Sequence, residues 1–149
     1  MAEANAVLSY RDPRAALDWL AGAFGFETQL LVNDSEGKVV FARLVLDGAS
    51  VGVAPEDDHM ASPLQFGSDT QVTNLRFPSG AIDLDAHCAR AEARGARIVR
   101  RPRQEFYGDF AYLCADLEGH LWEFSLRGGE AVAPPEGWAV RSPAKEAGS

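Results

Sequence analysis

The chain has 149 residues, 46% of them hydrophobic, enough for one domain or two tightly joined half-domains with a real core. Its 14 basic and 22 acidic side chains, net −8, argue against a nucleic-acid partner, which needs a basic face, and weakly against an anionic membrane surface. Two cysteines, Cys88 and Cys114, with no CxxC pair, suggest buried free thiols in a reducing cytoplasm; no leader of basic then apolar residues opens the chain, and no stretch approaches the ~18 apolar residues of a membrane span.

Ala4–Tyr10 reads as a strand. Asp12-Pro13 is a strong helix start, because the carboxylate caps free amides and proline suits the first helical position. Ala16, Leu17, Leu20 and Phe24 recur at helical spacing, and Gly25 stops the helix. Phe26–Val32 reads as a strand, residues 33–37 (NDSEG) as a hairpin turn, and Val39–Leu46 and Ala49–Ala54 as strands joined by the two-residue turn Asp47-Gly48. Residues 55–69 are polar and turn-rich and read as a connection, with His59-Met60 either a lid or only part of a linker. Gln71–Phe77 is expected to be a strand, Pro78-Ser79-Gly80 a turn or bulge, and Leu84–Arg94 a helix capped by Asp83. Arg97–Arg103, Phe110–Asp116 and His120–Leu126 read as strands. Residues 128–149, rich in Gly, Pro and Ala, read as an irregular tail with Trp138 docked on the body.

The chain therefore says the same thing twice. From helix cap to stop glycine is 13 residues in the first half (Asp12 to Gly25) and 12 in the second (Asp83 to Gly95). From stop glycine to turn glycine is 23 residues (to Gly48) and then 24 (to Gly119). The expected organisation is a β-α-β-β-β module over residues 1–54, a connecting loop over 55–69, a second module over 70–127 and the tail over 128–149. Each copy leaves an apolar face that it cannot bury alone. The fold class is α+β, with two small curved sheets facing each other across a cleft.

The segments Tyr107-Gly108-Asp109 and residues 116–124 (DLEGHLWEF), with Tyr10-Arg11-Asp12-Pro13, Phe24-Gly25-Phe26 and the stretch from Asp83 to Ala96, resemble the vicinal oxygen chelate superfamily, which includes glyoxalase I, bleomycin-resistance proteins and extradiol dioxygenases. The resemblance covers about residues 4–127. It implies a cup between two half-barrels, a divalent metal held by ligands from the first and last strand of each half, and a homodimer. Carried over by position, the first-strand ligand seven residues before the capping Asp becomes Asn5, and the same count from Asp83 gives Arg76. The last-strand ligand becomes Glu123, four residues after Gly119; four after Gly48 is Gly52, which has no side chain. An arginine cannot lose its proton and would repel a cation; it is expected to pair with Glu123 instead. No metal site is expected, and if one is present Glu123 is its ligand.

Strand alternation puts Glu123 on the face opposite Trp122 and Phe124, either toward the cup or in a structural ion pair. The repeat pairs Val39, Phe41 and Arg43 with Phe110, Tyr112 and Cys114; these either line an aromatic pocket with one cation or pack on a partner subunit. Phe110 stands where the related sequences often carry an arginine. Tyr107 is expected to shape the rim, His120 the turn, and His87 to sit exposed on its helix. Arg97, Arg100, Arg101 and Arg103 read as a solvated strand before an anion site, and Glu56-Asp57-Asp58 as a solvated loop. Neither cysteine has a histidine near it in sequence to activate it.

The leading reading is a small-molecule-binding protein with an incomplete metal site and no cofactor. Its ligand contacts are Asn5, Phe41, Arg43, Arg76, Tyr107, Phe110, Tyr112 and Glu123. The alternative is a metal-dependent lyase or dioxygenase using Zn, Ni, Mn or Fe, with Glu123 as ligand or base. A structural dimer with a self-filled cup is the third. Partners are a small organic molecule and a second copy, with no nucleic acid and no membrane.

Overall fold

The computed structural model of the protein describes residues 1–143. In chain order it forms β1 (Ala6–Tyr10), α1 (Pro13–Phe24), β2 (Glu27–Asn33), β3 (Val39–Leu46) and β4 (Ala49–Pro55). After a 3-10 turn at Pro63–Gln65 come β5 (Val72–Phe77), α2 (Leu84–Ala93), β6 (Arg97–Gln104), β7 (Phe110–Ala115) and β8 (Leu121–Leu126). The sheets run β1-β4-β3-β2 and β5-β8-β7-β6, the first pair of each parallel and the rest antiparallel. The fold is α+β, two curved, unclosed four-stranded sheets each with one helix. Among the described residues no helix is long and apolar enough to cross a membrane.

The local signals act as their chemistry requires. Asp12 and Asp83 accept hydrogen bonds from Ala15 N (3.1 Å) and Ala86 N (3.0 Å), each cap contributing about 1 kcal/mol. Gly25, at φ 88°, ends α1 in the left-handed conformation that a side chain would disfavour. Asp47 and Gly48 both have positive φ, 48° and 82°, the two-residue turn whose twist matches a hairpin. Pro102 is tolerated because β6 is an edge strand, and its pairing with β7 shifts register there.

The two halves meet through their helix sides in one shared core, and a cleft lies between β1 and β4 of the first sheet and β5 of the second. Phe24, at the end of α1, packs its ring 5.3 Å from Trp122 and 4.8 Å from Phe124 of β8. The Arg90 guanidinium donates from α2 to the carbonyls of Gly22 and Ala21, and Trp19 Nε1 donates to Arg94 O at 2.7 Å. Sheet pleating then turns the opposite face of each sheet away from this core.

The loop between β7 and β8 is the second junction. Buried Asp116 accepts from Tyr10 Oη (2.5 Å) and Trp122 Nε1 (3.0 Å), and from the amides of Glu118 and His120. Burial holds its carboxyl above the ordinary range, although these bonds pull it down. Glu118, also buried, accepts from Arg11 N (2.6 Å), Asp12 N (2.9 Å) and Ser62 Oγ (2.5 Å). His120 Nε2 lies 2.6 Å from Ser9 O. The turn packing expected of His120 is therefore a contact between halves. Trp138 touches the Phe106 ring at 6.1 Å yet stays 65% exposed, a looser docking than expected.

Candidate functional site

The open face of the second sheet carries an ion network. Asn74 and Glu123 are direct partners in the β5–β8 register, and Asn74 Nδ2 donates to Glu123 Oε1 at 2.8 Å. The other oxygen, Oε2, accepts from Arg100 Nη2 at 2.9 Å. Arg100 Nε lies 3.2 Å from Glu105 Oε1, and Arg103 Nε donates to that same oxygen at 2.9 Å. The expected Arg76–Glu123 pair is not formed. Arg76 instead makes a two-pronged bond to Asp109, at 2.7 and 2.9 Å, which raises its own pKa further. Tyr107 stands at the rim of this network, its hydroxyl pKa raised by burial and by the charges of Glu123, Glu105 and Asp109. Three arginines face three carboxylates, so the network is neutral overall.

Asn74, Arg100, Glu105 and Asp109 were missed as site residues. Asn74 is visible only once β5 is set against β8. The clue to Arg100 is its alternation with the residues around it in an edge strand, which the bulges on either side of it obscure.

The open face of the first sheet is different in kind. Asn5 accepts a hydrogen bond from Ser50 Oγ. Arg43 pairs across β4 with Gly52, and its guanidinium lies over the Phe41 ring at 5.6 Å from the centroid. A Cβ on Gly52 would stand 3.0 Å from the Phe41 ring and 3.1 Å from Val7, so the Phe41 ring edge occupies the space beside that position. A pocket of about 420 Å³ is bordered by Glu3, Asn5, Gln29, Arg43, Val45 and Ser50. It shares Glu3, Asn5, Gly48 and Ser50 with a cleft of about 620 Å³ that runs on to β5, including Val72 and Asn74.

Phe110 and Tyr112 are turned away from this face. They pair with Leu126 and Phe124 and so share the helix side of β8, as does Cys114 opposite Trp122. Tyr112 is fully buried and stacked on Phe124. The cause is turn length. Leu46 pairs with Ala49 across two residues, whereas Ala115 pairs with Leu121 across five, which shifts the count from the glycine by one. A one-residue slip moves every side chain to the other face. Val39 is likewise in the core, beside a register shift in β2–β3. The second-half count from Asp83 also slips. Tyr10 and Phe77 are equivalent in register, but Asp12 follows the first by two residues and Asp83 follows the second by six. The residue that matches Asn5 is therefore Val72, not Arg76.

His87, expected to be exposed, is wedged between the halves: Nε2 lies 2.8 Å from Phe24 O and Nδ1 2.6 Å from Tyr112 Oη. Neutral imidazole serves both if Nε2 donates and Nδ1 accepts. Burial, more than the nearby Arg90 charge, depresses its pKa. A depressed folded value means stability is full above the ordinary 6.5 and falls as pH drops through the folded value. Urea denaturation from about pH 7 to about pH 5 should show that loss, and His87→Gln should flatten it; an unchanged slope in the variant would contradict the assignment. Burial also raises both thiols, Cys88 and Cys114, which makes them poor nucleophiles. His59 and Met60 sit in a turn whose amides both donate to Asp57 Oδ1 at 2.7 Å.

The donor set does not fit a divalent metal. Among the described residues no three His, Cys, Asp or Glu side chains converge. The four positions compared with metal ligands are an asparagine, a glycine, a valine and Glu123, and a guanidinium already neutralises the glutamate.

Comparison with known proteins places this geometry. Among solved structures, TioX from Micromonospora sp. ML1 superposes with a TM-score of 0.66 at 32% identity, covering 89% of this chain and 100% of that one. A superfamily member from Sphaerobacter thermophilus DSM 20745 superposes with 0.60 at 21% identity, over 85% and 98% of the two chains. The fosfomycin resistance protein FosX from Listeria monocytogenes, complexed with Mn(II) and sulfate ion, superposes with 0.59 at 16% identity, over 85% and 90%. The last two are likenesses of fold alone. No curated protein matches the chain significantly in sequence. Residues 4–124 match the family described as the Glyoxalase/Bleomycin resistance protein/Dioxygenase superfamily, and the chain belongs to it.

Proposed function

We propose that the protein binds a small organic molecule in the groove running from Arg43 past Asn5 and Ser50 to Asn74, without a complete metal site. The observation that carries this reading is the asymmetry of the two last-strand positions. Gly52 has no donor and Phe41 fills the space beside it, while Glu123 has both oxygens committed to Asn74 and Arg100. The groove joins polar groups that can orient a ligand with exposed apolar surface at Val72. Phe41, Arg43 and Asn5 serve as contacts on one side. Asn74 serves on the other, with Glu123, Arg76 and Tyr107 behind it.

The same chain acting as a metal-dependent lyase or dioxygenase requires Arg100 to leave Glu123 and further ligands to arrive from a second copy. A homodimer is part of the proposal. The exposed Leu30, Leu31, Val32 and Val40 along the β2–β3 edge support it. Purified protein incubated with Zn²⁺, Ni²⁺, Mn²⁺ or Fe²⁺ and then dialysed is expected to retain well under one ion per chain by mass spectrometry, and Glu123→Gln should not change that figure. One ion retained per chain, lost in Glu123→Gln, would overturn the metal-free reading and favour the enzyme reading instead. A thermal-shift series should show melting temperatures rising with the logarithm of ligand concentration for a bound organic molecule.

A further inference from the structure

We infer that the ligand is an aromatic carboxylate, seated by Arg43; this rests on the small-molecule reading above and gives it a chemical class. The argument begins with the cations of the two open faces. Arg76 is held by Asp109, Arg100 by Glu105 and Glu123, and Arg103 by Glu105. Arg97, at the far end of β6, and Arg43, on the first sheet, form no ion pair among the described residues. The Arg43 guanidinium is instead layered over the Phe41 ring. The three cations around Glu123 are therefore neutralised from within, whereas Arg43 is not and borders a pocket of about 420 Å³ together with Asn5, Gln29 and Ser50.

The geometry around Arg43 suits a planar anion. A guanidinium held over an aromatic face by its charge keeps its N–H groups free, and those groups can receive a carboxylate through two parallel bonds. The ring edge lies so close to Gly52 that a Cβ there would stand 3.0 Å from it, so the platform depends on that glycine. Val7, 44% exposed, adds apolar surface beside Gly52 and the Phe41 ring, which a flat hydrocarbon body removes from water. The amide of Gln29 and the Asn5–Ser50 pair border the same pocket and bind polar substituents without adding charge. Glu3 is the one acid at this rim; it is exposed and opposes an anion from the edge of the site. It therefore supplies a variant of opposite sign.

The test is calorimetric titration of the full chain with three probes of one shape: naphthalene-2-carboxylate, naphthalene-2-carboxamide and 2-naphthyltrimethylammonium. The carboxylate is expected to bind about tenfold or more tighter than the amide, the effect of one charge-assisted bidentate contact. Arg43→Gln should remove that preference while the amide's affinity stays within about twofold, and Glu3→Gln should strengthen carboxylate binding by about twofold to threefold. Circular dichroism melts of both variants should match wild type, since neither side chain is part of the core. Equal affinities for carboxylate and amide, or a carboxylate affinity unmoved by Arg43→Gln, would overturn the inference. Binding of the amide or the ammonium probe alone overturns this inference and leaves the small-molecule reading standing. Silence from all three probes, with no shift in melting temperature, counts against both.

Discussion

Asp116→Ala is expected to cost about 3–5 kcal/mol of folding stability, because four donors lose one buried acceptor together. The Tyr10 hydroxyl and the Trp122 indole N–H would be left buried with no other acceptor, and the amides of Glu118 and His120 would lose the turn that sets their direction. Against a total of about 5–15 kcal/mol for a domain, that is enough to leave the variant only marginally folded. Urea denaturation followed by tryptophan fluorescence measures it. A loss below about 1 kcal/mol would mean that water replaces the carboxylate and that the junction is not sealed. Asp116→Asn keeps one acceptor oxygen, sets its NH2 against two of the four donors, and removes the titrating proton. The wild-type carboxyl is raised in the fold, so the folded state holds its proton more firmly than the unfolded chain does. Its contribution is full below the ordinary 3.8 and is lost as pH rises through the folded value. The amide has no proton to exchange, so that part of the pH dependence should vanish in Asp116→Asn.

Phe24→Ala should be of similar size, about 3–5 kcal/mol, by a different route. The ring touches Trp19, Phe26, His87, Trp122 and Phe124, with centroids between 4.8 and 6.5 Å. Those neighbours come from both halves, so collapse around the hole would have to move two sheets at once. The loss is therefore expected at the upper end of the range. Phe24→Leu, which keeps most of the volume, should recover more than half of it. A loss near 1 kcal/mol for the alanine variant would show that the halves are not locked by this cluster.

What the sequence made legible was local. Asp12, Asp83, Gly25 and Asp47-Gly48 each satisfy a backbone need within a few residues, so the helices and the first hairpin fall where they were expected. The repeat also gave the right face for Glu123 and Gly52, because both follow their turn glycine by the same four residues. It failed wherever the turn itself entered the count. Counting back from Gly119 across a five-residue turn placed Phe110 and Tyr112 on the wrong face, and counting back from Asp83 across the inserted residues chose Arg76 over Val72 as the match for Asn5. Partner choice was also out of reach. Arg76 prefers Asp109, 33 residues away, and Glu123 prefers Arg100. Each choice depends on loop geometry that no spacing rule encodes. His87 looked like a solvent residue because its helix is weakly amphipathic; only the end of α1, folded over it, supplies the Phe24 carbonyl that its ring meets.

The reach of Glu118 to the amides of Arg11 and Asp12 has a consequence for biosynthesis. The first helix starts at Pro13, but the acceptor for the two amides that lead into it is made more than a hundred residues later. At roughly 5–20 residues per second of translation, several seconds pass between the two. During that interval the first half has its own cap from Asp12 but an open entrance and an uncovered aromatic end at Phe24. The β7–β8 hairpin closes both copies together when its turn delivers Glu118 to those amides.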